Sequence, residues 1–138
     1  MVDGWTCPDC ARRFGRVNQS HGCAPALSVQ EYFSTGPAFE RPIYEAVVAQ
    51  LAELGPLVVD PVQVGILFKR VRTFAELRPR RDRVVLSLWL SRPLVHPRVV
   101  RTLGGPRRVA HFVDLRGPDD VDDDVRGWLA ESYLSSPV

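Results

Sequence analysis

The sequence predicts an α+β domain preceded by a small zinc-ribbon-like unit, and three observations carry that prediction. All three cysteines and one of the three histidines fall within the first 23 residues. Apolar residues recur at helical spacing from Ile43 to Leu54 and again from Val121 to Tyr133. Between them lie short β-branched and aromatic runs separated by turn-prone residues, the pattern of strands. The expected architecture is an antiparallel sheet of four to five strands packed by N-terminal and C-terminal helices. Residues 1–25 would form the small unit and residues 28–135 the α+β domain.

The small unit carries Cys7, Cys10, His21 and Cys23 in the pattern C-x2-C-x10-H-x-C. Three thiolates and one imidazole form a complete tetrahedral set for structural zinc. A tight Cys7-Pro8-Asp9-Cys10 turn can point two sulfurs at one ion, and Phe14 offers an apolar plug. So short a segment buries too little surface to order itself, so metal binding would supply its folding free energy. A redox pair would need a preceding βαβ pattern, which is missing. A disulfide set is disfavoured by the odd cysteine count and by the lack of a secretion leader. The spacer in His21-Gly22-Cys23 is one residue, shorter than the three to five of common zinc fingers.

The domain follows in order. Ser28-Val29-Gln30-Glu31 is a capping-box pattern and predicts a short helix through Tyr32 and Phe33. Pro42 suits the first turn of the next helix, whose stripe is Ile43, Val47, Leu51 and Leu54 and whose stop is Gly55-Pro56. LVVDPVQVGILFKR, TFAELRPR, RVVLSLWLS and RRVAHFVDLR read as strands of an antiparallel meander. RPRRDR (78–83) would be an exposed hairpin connection, and SRPLVHPRVVRTLGGP a long loop. A final helix has its acids in the first turn, where they suit the macrodipole, with Asp119 or Asp120 as the expected cap.

Charge is unevenly spread. The net charge is +2, yet residues 69–108 hold twelve basic residues against two acids, a net of +10, while residues 109–138 carry −5. Such a split marks either a basic face for an anionic partner or two segments that neutralise each other across the fold. Lys69 is the sole lysine and all other basic residues are arginines. No apolar run approaches the roughly 18 residues that span a bilayer. That and the missing leader predict a cytoplasmic protein with no membrane association.

The stretch from Ser28 to Leu134 resembles a bacterial family, domain of unknown function 5655. The resemblance lies in LAELGP, VGILFKRVRTFAEL, LSLWLSRPLVHPRV and HFVDLRGPDDVDDDVRGWLAESY. WTCPDCARRF…NQSHGC is similar to a zinc-ribbon-like unit that accompanies this domain in some bacteria. The resemblance implies helices packed on an antiparallel sheet and implies no activity.

Catalytic patterns are missing. His96 and His111 have no adjacent nucleophile or suitably spaced carboxylate, and no phosphate-binding glycine motif occurs. The expectation is a non-enzymatic binding protein that contacts nucleic acid or an acidic protein. Arg12, Arg13 and Arg16, beside Trp5 and Phe14, together with Arg80 and Arg81, are the candidate anion contacts. The alternative is a small-ligand or sensor domain whose pocket, lined by Phe68, Phe74, Trp89 and His111, lies between sheet and helices.

Overall fold

A computed structural model of the chain describes residues 4–19 and 27–136. It contains two antiparallel sheets of unequal size. The small one is a hairpin of β1 (Trp5–Thr6) and β2 (Arg13–Phe14). The large one has six strands: β3 (Val58–Val62), β4 (Gly65–Lys69), β5 (Thr73–Pro79), β6 (Val84–Leu90), β7 (Val99–Gly104) and β8 (Val109–Leu115). Helix α1 (Val29–Tyr32) and helix α2 (Glu40–Ala52) precede the large sheet, and helix α3 (Asp123–Ser135) follows it.

The strand order is β3-β4-β5-β6-β8-β7, so the expected meander holds only to β6. The predicted loop at 91–106 contains β7, which pairs with β8 at the sheet edge. Its residues are half-buried or exposed throughout, so no hydrophobic alternation marked it in the sequence. The run LVVDPVQVGILFKR splits into β3 and β4 around the Gln63-Val64 turn.

Side-chain alternation gives the large sheet two different faces. Ile66, Phe68, Leu77, Leu86, Leu88, His111 and Val113 share one face by register and are fully buried beneath the helices. Ile43, Val47 and Leu51 of α2 and Val125 and Leu129 of α3 seal that core. The capping box of α1 forms as read: the Glu31 N–H donates to Ser28 Oγ, and the Ser28 N–H donates to Glu31 Oε1, each at 3.0 Å. The cap of α3 is Asp122, whose Oδ1 accepts from the Val125 N–H at 3.0 Å. Asp119 and Asp120 belong instead to a preceding 3-10 turn, and Asp120 accepts from the Arg116 N–H at 2.8 Å.

Candidate anion-binding site

The other face of the large sheet carries the small hairpin at its β3–β4 side. Within the hairpin, Cys7 and Cys10 are buried with Phe14, and Trp5 packs on them. The Cys7 N–H donates to the Arg12 carbonyl at 2.9 Å, the Ala11 N–H to the Cys7 carbonyl at 2.8 Å, and Ala11 adopts a left-handed φ of 62°. Cys7 and Cys10 therefore share one tight turn with both side chains buried. His21 and Cys23 lie outside the described residues. Among the described residues, no three His, Cys, Asp or Glu side chains gather into a metal-binding group.

Docking of the hairpin runs through buried charge. Asp60 on β3 accepts from Arg12 Nε at 3.2 Å and from Lys69 Nζ at 2.8 Å, and all three side chains are buried. Lys69 Nζ also donates to the Arg13 carbonyl at 2.9 Å and sits 4.7 Å from the centre of the Phe14 ring. An ammonium with three rotatable donors suits this spot, where a planar guanidinium would not. Gly15 completes the fit: a Cβ there would lie 2.8 Å from Val71 Cγ1 and 3.1 Å from the Val71 carbonyl oxygen.

Against this junction opens a cavity of about 570 Å³. Its cations are Arg12 and Arg16 from the N-terminal unit, Lys69 at the end of β4, Arg72 in the β4–β5 turn and Arg108 in the β7–β8 turn. Antiparallel pairing brings both turns to the same end of the sheet: Lys69 pairs with Thr73, Ala75 with Leu88, and Leu90 with Val109. A neighbouring cavity of about 340 Å³ shares Arg72, Thr73 and Arg108 and adds Arg107 and Trp89. Among the described residues, neither cavity is lined by a carboxylate. The Arg108 guanidinium lies 5.2 Å from the Trp89 ring centre and donates to the Thr73 carbonyl. Burial, and then the like charge of Arg72, press the Arg108 pKa below the usual arginine range.

The candidate residues separate on this framework. Arg12 and Arg16 join the basic cavity, whereas Arg13 lines a different one that also borders Lys69. Arg80 and Arg81 occupy the β5–β6 turn at the opposite end of β5 from Arg72. Phe68, Phe74, Trp89 and His111 are not all brought to any one of the cavities described among these residues. Phe68 and His111 are fully buried under the helices, while Phe74 and Trp89 border the smaller basic cavity. His111 Nε2 accepts from the Leu94 N–H at 2.8 Å, and burial lowers its pKa. His96 lies edge-on to Trp128 at 4.9 Å, and its Nδ1 accepts from the Arg98 N–H at 3.0 Å. Arg72, Arg107 and Arg108 were not singled out from the sequence. The usable signal was their position in two turns joined to strands of one sheet, beside the lone lysine.

Six antiparallel strands with helices on one face and a small hairpin on the other define an α+β domain with an appended N-terminal unit. The family model for "Domain of unknown function (DUF5655)" matches residues 29–136, and the chain belongs to that family. No curated protein and no solved structure matches the chain. No helix among the described residues is long and apolar enough to cross a membrane.

Proposed function

We propose that the protein is a non-enzymatic binding module that contacts single-stranded nucleic acid through the basic end of its sheet. In this reading Cys7, Cys10, His21 and Cys23 hold a structural zinc ion that orders the N-terminal unit. The observation that carries the proposal is the convergence of Arg12, Arg16, Lys69, Arg72 and Arg108 on one cavity whose described lining includes no carboxylate. Crowded guanidinium groups repel one another, and phosphate groups relieve that repulsion while releasing counterions. In this reading a flexible single strand follows the two adjoining cavities, and Trp89, which lines the second, offers an aromatic surface to a base.

Fluorescence anisotropy with a short labelled oligothymidine tests the reading. Neutralising about four phosphates gives a log–log salt slope of about −3 for a single strand. Absence of binding at low salt, or binding that persists unchanged at about 0.5 M salt, overturns it. Equal affinity for poly-glutamate would point to an acidic protein partner instead. Native mass spectrometry addresses the metal: one zinc per wild-type chain and none in Cys10→Ser is the expected result. A metal-free but folded wild type would refute the zinc assignment.

A further inference from the structure

Sharing Phe14, Lys69 and Val71 with the basic cavity is a second kind of opening, about 400 Å³ in volume. Its walls are Phe14, Pro56, Leu57, Val58, Val71 and Tyr133. Its charged groups are Arg13, Lys69 and Arg70, and again no carboxylate lines it among the described residues. A volume of this size, apolar walls and a few polar groups of one sign are the features of a small-molecule site. The wall is held in place. The Tyr133 hydroxyl donates to the Pro56 carbonyl at 2.9 Å, and Gly55 has φ +144° and would, with a Cβ, lie 2.6 Å from that hydroxyl oxygen. Arg70 stacks 4.3 Å from the Tyr133 ring centre and uses Nη1 on the Tyr133 carbonyl at 3.0 Å.

We infer that this cavity binds a small aromatic anion, with its ring against Leu57, Val58 and Tyr133 and its carboxylate at Arg13 and Arg70. The inference does not depend on nucleic-acid binding. Arg13 and Arg70 line this cavity and not the basic pair, and Lys69, which borders both, is already committed to Asp60. An apolar slot rimmed only by cations selects for an apolar body that carries negative charge. A neutral aromatic would gain the wall contacts but none of the charge-assisted hydrogen bonds that a carboxylate makes with guanidinium groups.

Titration of the ¹⁵N-labelled full chain with 1-naphthoate, followed by amide chemical shifts, tests this. Saturable shifts confined to the neighbourhood of Leu57, Val58, Val71 and Tyr133 are expected. The neutral 1-naphthalenemethanol should bind about tenfold more weakly, and Arg13→Gln should weaken naphthoate by a similar factor while leaving the alcohol unchanged. Val58→Trp, which fills the slot, should abolish binding and leave oligothymidine affinity intact. Should that variant misfold, the wild-type shift map still decides the matter. No shifts at millimolar naphthoate, shifts centred on Arg16 and Arg108, or equal affinity for acid and alcohol would each overturn the assignment.

Discussion

At the end of the sheet where β8 finishes, Arg83 meets Asp114 at 3.1 Å and Asp82 at 2.9 Å, and Arg98 meets Asp122 at 2.6 Å. At the other end, Arg72, Arg107 and Arg108 line adjoining cavities with Arg12 and Arg16, and no acid joins the lining described there. The strongly basic segment 69–108 is therefore divided in use. The acidic C-terminal segment neutralises part of it through Asp114, Asp122 and Glu131, which pairs with Arg92 at 2.8 Å. Lys69, Arg72 and Arg108 gather beside the N-terminal unit, whereas Arg80 and Arg81 lie in the β5–β6 turn at the end where β8 finishes. Charge totals along a sequence do not distinguish these outcomes; strand pairing does, because it decides which turns share an end.

The largest effect should come from Asp60, the acid that holds the N-terminal unit to the sheet. Asp60→Asn leaves Lys69 and Arg12 buried without their counter-charge, and breaking such a network costs about 3–5 kcal/mol. Urea unfolding should show that loss in the midpoint. Asp114→Asn at the paired end removes a half-exposed partner and should cost under about 1 kcal/mol. Similar losses from the two substitutions would mean that the buried junction is not what fixes the hairpin.

Binding gives the next contrast. The double variant Arg72→Gln, Arg108→Gln should lower oligothymidine affinity by about tenfold or more at low salt and reduce the salt slope by about 1.4. Arg83→Gln with Arg98→Gln makes the same change in net charge at the paired end and should leave affinity within about twofold. If the two doubles lose affinity equally, net charge alone drives association and the cavity has no special part.

Local features were legible in the sequence, and long-range juxtapositions were not. The Ser28–Glu31 capping box and the Ile43, Val47, Leu51 part of the helical stripe involve neighbours within one or two turns and form as read, while Leu54 lies just past the end of α2. Strand β7 escaped notice because its side chains gain little burial and its identity rests on pairing with β8. Asp119 and Asp120 looked like caps because an acidic run offers several equivalent candidates, and only the 3-10 turn ahead of α3 selects Asp122. Arg80 and Arg81 were legible as a basic turn, whereas Arg72 and Arg108, which β5 and β8 bring to the opposite end of the sheet, carried no local signal. Arg12 reaches Asp60 across 48 residues of chain, a contact no spacing rule foretells.

The smallest effects belong to the paired end, where pH separates capping from ion pairing. The Asp122 pKa is held below the usual carboxylate range, first by the Val125 N–H and also by Arg98. A depressed folded-state pKa means that the stabilisation is complete above the unfolded value of about 3.9 and is lost as pH falls through the folded value. Asp122→Asn keeps a side-chain oxygen for the cap but removes the charge, so at pH 7 it should cost only about 0.5–1 kcal/mol. Arg98→Gln should cost no more, and added salt should shrink its effect, because the pair is partly exposed. Urea midpoints of wild type and Asp122→Asn should converge as pH falls below the unfolded value of about 3.9 and on through the lower folded value, where the wild-type carboxylate becomes protonated. A gap that persists in acid would show that the aspartate acts through shape and hydrogen bonding rather than charge, which would make this end of the sheet less dependent on ion pairing than its geometry indicates.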